Sequence, residues 1–418
     1  MARALTKESL LKNDTFLASA AKLYDSDVEA VAERYSSLTE GLNGKIRFFS
    51  ASGRAELIGN HTDHNHGFVI ASAIDMDVAA AVVATDDDFI TVQSAGYPAF
   101  TVKLDDDKID ESKFGTSEAL LKGVLKGFTD RKRKIGGFIA RMQSNIFKGA
   151  GVSSSAAFEL ILCEILNVLY NDGEMDFKEK AIISQFAENV YFGKPSGLMD
   201  QLTASHGGVS YMDFFDPADP VARSLDWRFD DLKLVIINCG GDHCDLTDEY
   251  AAIRSEMNDV SAYFGKNVLR DVKKKEFFAV LPDLKNRYTG RALLRAIHFF
   301  EENERVSACY DALVAEDEEK FLSLITASGK SSYELLQNCY PRGDVAQPVA
   351  LALAITERHP DTLACRVHGG GFAGTILSFV KKTKFSSYLS YMESVFGKEN
   401  VFGVSVRNVG PCELLTEK

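Results

Sequence analysis

A long apolar run, Phe68 to Ala84, is the feature that most limits what this chain can fold into. It is rich in valine and alanine and would bury well in a protein core. Asp75 and Asp77 interrupt the run too early for it to cross a bilayer. We therefore expect a strand, a turn at residues 75–77 and a second strand.

A dense polar stretch, residues 53–67, comes directly before this run. It holds one guanidinium, two carboxylates, three imidazoles and two amides between glycines, with no sustained helical or strand period. Such density favours a site on a rigid scaffold over a solvated loop. From the residues alone, two chemistries stay open. Hydrogen bonds to a polyhydroxylated ligand would come from Arg54, Asn60 and Asp63. A metal would instead be held by His61, His64, His66 and Asp63.

Length and charge limit the possible classes of protein. A chain of 418 residues is too long for one typical core and predicts two domains, which we place at 1–218 and 219–418 because residues 213–220 are rich in turn formers. The net charge of −13 argues against a nucleic-acid or anionic-membrane partner. Seven scattered cysteines without a Cys-x-x-Cys pair, and an amino terminus without an apolar core, predict a cytoplasmic protein.

Periodicity and turn residues predict the remaining elements. Helices are expected within residues 5–42, at 118–128, 155–169 and 178–192, from 197 onwards, at 246–264 and within 291–324. Strands are expected at 46–51, 89–94, 100–104, 136–145, 232–238, 364–367 and 375–380. Strands and helices do not alternate steadily, which favours an α+β fold over a doubly wound sheet.

A second motif, Gly-Ala-Gly-Val-Ser-Ser-Ser-Ala-Ala at residues 149–157, stands at the start of a predicted helix. Its glycines let the backbone approach a ligand, and the free amides at a helix start attract anions. A glycine turn with a serine cap would need only one serine. Three serines in a row therefore favour a phosphate loop.

Two other glycine motifs do not fit the sites that their letters suggest. Gly329-Lys-Ser331 resembles the end of a P-loop, but Leu324 stands where the opening glycine should be. Residues 369–374 satisfy the dinucleotide fingerprint by letter, yet they lead into a predicted strand instead of a helix.

Four motifs together resemble those of the galactokinases, members of the GHMP kinase superfamily. Residues 53–67 resemble the galactokinase signature, residues 149–157 the ATP loop, residues 197–201 the family's GIMDQ, and residues 368–374 its third motif. They occur in the family's order and span most of the chain. The resemblance implies two α+β domains, the first like ribosomal protein S5, with the active site between them. It also implies an ATP- and Mg²⁺-dependent sugar 1-kinase that makes α-D-galactose 1-phosphate.

Matching the motifs residue by residue implies a role for each matched residue. Asp200 corresponds to the base that takes the proton of the sugar's anomeric hydroxyl, and Arg54 to the arginine beside it. Taken alone, Asp200 also fits a carboxylate at a helix start. Ser155 and Glu188 correspond to magnesium ligands, although Glu188 equally fits an exposed helix position. Phosphate contacts are implied for Gly149, Gly151, Ser153, Ser154 and Ser155. Sugar contacts are implied for Asn60, His61, Asp63, Gly197 and Tyr250.

The chain departs from the family's pattern where the family has a glutamate, a tyrosine, an asparagine and a glycine. The residues found there are Asn60, His64, Glu56 and Ala373. Asn60 keeps one acceptor oxygen, loses the negative charge and gains a donor. We therefore expect galactose to be accepted, and galacturonate, the second candidate, to be tolerated better than in ordinary galactokinases. A sugar sensor that binds ATP and galactose without catalysis is the rival of another class. We expect a monomer that binds no nucleic acid or membrane.

Overall fold

Two β-sheets, each packed against helices, form the protein in a computed structural model that describes residues 5–25, 27–146, 151–240, 246–341, 343, 345–372 and 374–416. The strands are β1 Arg47–Ile58, β2 Phe68–Ala84, β3 Phe89–Ser94, β4 Phe100–Lys103, β5 Phe138–Ser144, β6 Val209–Asp213, β7 Val221–Leu225, β8 Leu232–Asn238, β9 Ala364–His368, β10 Thr375–Lys381, β11 Val401–Val404 and β12 Cys412–Thr416.

The helices are α1 Lys7–Leu10, α2 Asp14–Leu23, α3 Val28–Ser37, α4 Ser117–Asp130, α5 Ser154–Tyr170, α6 Phe177–Phe186, α7 Met199–His206, α8 Thr247–Tyr263, α9 Lys274–Ala279, α10 Leu281–Arg287, α11 Gly290–Val314, α12 Glu318–Ser331, α13 Pro348–Arg358 and α14 Phe385–Phe396. Single π-helical turns, Ala187–Tyr191 and Ser332–Leu336, continue α6 and α12. This content confirms the predicted α+β class. Over the described residues, no helix has both the length and the apolar character to cross a bilayer.

The first sheet has the order β12-β1-β2-β5-β3-β4, with β6 pairing the first part of β2 and β7 pairing β6. The second sheet has the order β11-β8-β10-β9. One buried hydrophobic cluster contains residues of both sheets, among them Ile70 of β2 and Leu377 of β10. A shared core of this kind holds the two sheets in a fixed relation to each other.

The prediction of a turn at residues 75–77 is wrong, because β2 is a single strand from Phe68 to Ala84. Asp77 is fully buried within it, 2.6 Å from Arg34 and 3.7 Å from Arg407. Burial acts to raise the pKa of Asp77, but the two guanidinium groups outweigh it and hold that pKa below its usual value. Asp77, which the sequence pattern predicts to be a turn residue, is thus an ion-paired residue within a strand.

The expectation that residues 53–67 sustain no strand period is also wrong for their first part, since β1 continues to Ile58. Side chains alternate between the two faces of a strand. Ala55 and Leu57 enter the hydrophobic core, which leaves Arg54 and Glu56 together on the opposite face. The polar part of the stretch is therefore displayed by a rigid strand.

The first sheet takes in two strands that lie beyond residue 218. β7 pairs β6, and the last strand, β12, returns to pair β1 along Arg47–Ser50. A division of the chain at residue 218 stays a prediction.

Candidate active site

A cavity of about 910 Å³ opens where the two sheets meet. Its wall includes every residue for which a catalytic or sugar-contacting role was predicted: Arg54, Asn60, His61, Asp63, Gly197, Asp200 and Tyr250. They come from β1 and the turn after it, from α7 and the loop before it, and from α8. The fold thus gathers side chains separated by up to about two hundred residues.

Arg54 is carried to the cavity by β1, and Gly53 before it lets another segment come close. A Cβ atom on Gly53 would lie 2.6 Å from the carbonyl oxygen of Val152, and the Arg54 amide donates to that same oxygen at 3.1 Å. The Arg54 guanidinium also donates to the carbonyl oxygen of Gly151. The serine-rich loop is therefore fastened directly to the strand that bears the arginine.

Asp200, the second residue of α7, accepts hydrogen bonds on both carboxylate oxygens. Arg54 donates to Oδ1 through Nε at 2.8 Å and Nη2 at 2.7 Å, and the Ser153 hydroxyl donates to Oδ2. Burial acts to raise the pKa of Asp200, but the Arg54 charge and the Ser153 hydrogen bond outweigh it and hold that pKa below its usual value. The carboxylate is ionised at neutral pH and lies at the cavity wall.

The serine loop runs straight into α5. Gly151 and Ser153 have positive φ angles of 64° and 63°, and the helix begins at Ser154. The first amides of a helix have no partner within it and attract anions. Ser154 is exposed, and Ser155 donates to Glu188 at 2.7 Å. Gly149, also predicted to contact phosphate, lies outside the described residues.

Glu188 is almost fully buried, so the alternative of an exposed helix residue does not hold. Ser155 and Lys194 donate to its Oε1, and Ser196 and Gln201 donate to its Oε2, at 2.7 to 2.9 Å. Mg²⁺ on a nucleotide usually takes one or two carboxylates and completes its shell with water and phosphate oxygens. A carboxylate with a neighbouring hydroxyl is a set of ligands that suits that ion, and magnesium would take the place of one of the four donors now on Glu188. Lys194 lines the cavity and belongs to no recognised motif, so sequence reasoning missed it.

Close backbone approaches position the predicted sugar contacts. A Cβ atom on Gly197 would lie 2.8 Å from Oδ2 of Asp63. Tyr250 packs over Gly370, where a Cβ atom would lie 2.5 Å from its ring, and its hydroxyl donates to the carbonyl oxygen of Gly371 at 2.8 Å. The third glycine motif therefore supports Tyr250, and it leads into strand β10 instead of a helix. Ala373 in that motif lies outside the described residues.

Two of the signature histidines lie in a chain of hydrogen bonds. Nε2 of His61 lies 2.8 Å from the carbonyl oxygen of Gly370, so it carries the proton. Nδ1 of His61 then accepts from Nε2 of His64 at 3.3 Å, and Nδ1 of His64 accepts from the Asn65 amide at 3.2 Å. Burial and the neighbouring His61 lower the pKa of His64 well below its usual value. In the part of the chain that the structure describes, no three His, Cys, Asp or Glu side chains are grouped to hold a metal.

Asn60 uses its whole hydrogen-bonding capacity within the protein. Its Nδ2 donates to Oε1 of Glu56 at 2.9 Å and to the carbonyl oxygen of Gly369 at 2.7 Å. Its Oδ1 accepts from Asn338 at 2.7 Å and from Ser332 at 3.3 Å. A direct hydrogen bond from Asn60 to a sugar would have to break one of these four. The predicted contact of Asn60 with the sugar stays a prediction.

Comparisons with known proteins agree with this arrangement. Residues 39–84 match the family model of the galactokinase galactose-binding signature, and residues 119–208 match that of the GHMP kinases N terminal domain. The chain is 29% identical over 370 residues to a galactokinase of Streptomyces coelicolor, covering 88% of this chain and 92% of that protein. It is 32% identical over 346 residues to a galactokinase of Actinobacillus pleuropneumoniae, covering 80% and 85%.

The fold is similar to that of a solved structure, Lactococcus lactis galactokinase complexed with galactose. The TM-score is 0.77 at 22% identity, and the similarity covers 92% of this chain and 99% of that one. At this level of identity the similarity establishes a shared fold.

Proposed function

This chain belongs to the galactokinase family, and we propose that it transfers the γ-phosphoryl group of ATP to the anomeric hydroxyl of D-galactose, giving ADP and α-D-galactose 1-phosphate. One observation carries the proposal. An ionised Asp200, fixed by Arg54 and Ser153, stands at the cavity wall next to the start of a helix suited to phosphate. A base and a phosphate site side by side are what phosphoryl transfer to a hydroxyl requires.

Asp200 acts as the general base in this mechanism. It takes the proton of the anomeric hydroxyl, the freed oxygen attacks the γ-phosphorus, and the bond to the β,γ-bridging oxygen breaks so that ADP leaves. Arg54 keeps the carboxylate ionised and offsets the negative charge of the transferred group.

Galactokinases use ATP with Mg²⁺, and we assign the two to the loop before α5, the start of α5 and the π-helical turn that continues α6. We assign the phosphates to Gly149, Gly151, Ser153 and Ser154 and the ion to Ser155 and Glu188. When bound, the magnesium ion neutralises phosphate oxygens and aligns them for transfer. Lys194 at the rim brings a further positive charge to the same place, 2.9 Å from Glu188.

The sugar is assigned to the part of the cavity wall formed by His61, Asp63, Gly197 and Tyr250. Galacturonate was the second candidate because Asn60 carries no charge. The carboxylate of Glu56 lies 2.9 Å from the Asn60 amide, however, and although Arg366 pairs with its Oε1 at 3.0 Å, the group still presents a carboxylate oxygen, Oε2, to this part of the cavity. A neutral sugar fits it better than an anionic one.

Turnover by the Asp200→Asn variant tests the proposal. General-base assistance is worth about a hundredfold or more, so kcat should fall by at least that factor while ATP binding is retained. A coupled ADP assay with galactose and Mg²⁺ measures kcat, and calorimetry measures ATP binding. Sugar binding by the wild-type protein without turnover would support the sugar sensor and reject the kinase.

We further propose a cytoplasmic monomer. Within the described residues Cys163, Cys239, Cys309, Cys339, Cys365 and Cys412 are free thiols, which suits a reducing compartment. Light scattering on the purified protein tests the monomer directly.

A further inference from the structure

We propose that Glu56 is the residue by which this sugar site prefers neutral to anionic sugars, and that Asn60 is a positioning residue that holds Glu56 in place. The inference rests on the proposed sugar-kinase function and adds a specificity determinant to it. It also moves the discriminating role away from Asn60, where the sequence had suggested it.

The position of Glu56 follows from the pleat of β1. Arg54 and Glu56 are two residues apart and therefore share one face of the strand, about 7 Å apart along it. Arg54 contacts the base Asp200, so Glu56 faces the part of the sugar just beyond the reacting carbon. Both side chains line the cavity.

One oxygen of the Glu56 carboxylate is occupied and the other is free. Oε1 accepts from the Asn60 amide at 2.9 Å and from the Arg366 guanidinium at 3.0 Å. No donor among the described residues reaches Oε2. Because the side chain lines the cavity, Oε2 is available to accept a hydrogen bond from a sugar hydroxyl.

The carboxylate is held in this orientation from the second sheet. Arg366 of β9 is fully buried and also donates to the carbonyl oxygen of Leu57 at 2.7 Å. The Glu56 amide donates to Nε2 of His368, the last residue of β9, at 3.1 Å. Because the backbone and Oε1 of Glu56 are both held in place, Oε2 points in one fixed direction. A fixed acceptor can distinguish between ligands that differ in the group placed against it.

Charge gives this oxygen its selectivity. An ionised acceptor binds a hydroxyl more strongly than a neutral one does, and it repels a carboxylate brought to the same place. Asp63, which also lines the cavity, adds a second carboxyl group to this wall. A sugar acid such as galacturonate is therefore disfavoured here even though residue 60 is an asparagine.

The Glu56→Gln variant tests the proposal, because its amide can keep the contacts of Oε1 while it replaces the free acceptor with a donor. We expect kcat/KM for galactose to fall about tenfold, mainly through KM, since one charge-assisted hydrogen bond is lost. We expect kcat/KM for galacturonate to rise, so that the ratio of the two changes by more than tenfold. An unchanged ratio overturns the proposal.

A matched control is Glu413→Gln. Glu413 of β12 is paired with Arg47 of β1 at 2.6 Å, and it does not line the cavity. The control makes the same change of charge and should leave the ratio as it is in the wild type. A shift as large as that of Glu56→Gln would show that net charge alone is responsible and would overturn the proposal.

If Glu56→Gln does not fold, exchanging the side chains at positions 56 and 60 tests the proposal instead. Asn60→Glu alone places two carboxylates in contact and should abolish tight galactose binding, whereas Glu56→Asn with Asn60→Glu leaves one and should restore it. Equal loss in the single and the double variant overturns the positioning role of Asn60. If the wild type turns over neither sugar, the proposed function fails, and equilibrium binding of the same two sugars still decides the role of Glu56.

Discussion

The protonation state of Asp200 depends on two neighbours that come from different motifs. Arg54 belongs to β1 and Ser153 to the loop before α5, and each donates to one oxygen of the carboxylate. Since both favour the ionised form, the folded pKa of Asp200 is lowered and the base stays competent as the pH falls towards that value. Loss of either donor should raise the pKa and move the acidic limb of activity to higher pH.

Ser153→Ala is the gentler test of this coupling, because Arg54 remains. We expect a lower kcat and an acidic limb of kcat/KM that lies at higher pH than in the wild type. Ser154→Ala should instead alter KM for ATP and leave the limb in place, since the Ser154 side chain does not contact Asp200. Coincident limbs in wild type and Ser153→Ala would contradict the role given to the serine.

At the level of single residues, the sequence predicted which side chains meet at the candidate site better than it predicted the side chains that support them. Motif spacing identified Asp200 and Arg54, which the fold brings into contact. It did not predict the four hydrogen-bond partners of Asn60, which include Asn338, far away in the chain. Spacing within a motif describes local geometry, and hydrogen bonds between distant segments have no such signature.

The central element of the first sheet is β2, and its buried Asp77 offers a test of stability. Asp77→Asn leaves Arg34 and Arg407 facing no negative charge, which should lower the free energy of unfolding by about 3–5 kcal/mol. The folded pKa of Asp77 is lowered, so its contribution is present above the unfolded value of about 3.9 and is lost as the pH falls below it. Urea unfolding at pH 7 and pH 3 measures both effects.

The carboxyl group of Asp75, on the same strand, should give the opposite dependence of stability on pH. Burial raises its pKa to about 6, so its ionised form weakens the folded state, and stability declines as the pH rises from about 4 to 6. Asp75→Asn should remove that decline, and its amide oxygen can still accept from the Ser405 amide as Asp75 does at 2.9 Å. A loss of stability in Asp75→Asn equal to that in Asp77→Asn would contradict this assignment.

Most elements could be predicted from periodicity, and the failures share one cause. The predicted strand at 232–238 coincides with β8, and the predicted helix at 155–169 differs from α5 by one residue at each end. β2 was divided in two because Asp75 and Asp77 resemble turn residues, and their buried partners lie in distant segments. Strands β6 and β7 were missed because they are short and follow directly on a helix and a turn.

At the level of the whole molecule, the last strand completes the sheet that bears the active-site arginine. β12 pairs β1, and Leu414 and Leu415 are buried with Phe16 and Phe48. Burial of one leucine contributes about 2–5 kcal/mol, and a domain has about 5–15 kcal/mol in total. A chain that ends at Gly410 should therefore lose most of its thermal stability and its kinase activity.

The matched control for this truncation is a chain that ends at Thr416, which keeps β12 entire. Melting temperature and turnover should equal those of the full chain. A chain ending at Gly410 that melts at the same temperature would show that β12 contributes little to the fold.

The pairing of β12 with β1 also determines when β1 can gain its second neighbour during protein synthesis. The ribosome makes the β1 residues Arg47–Ser50 more than 360 residues before it makes their partners in β12. Until β12 is made, the nascent polypeptide therefore carries β1 as an uncovered edge strand, a kind of surface that promotes aggregation and chaperone binding. β12 covers the edge of β1 only once it has been made, so a stop codon that removes β12 would leave β1 as an exposed edge strand in the product.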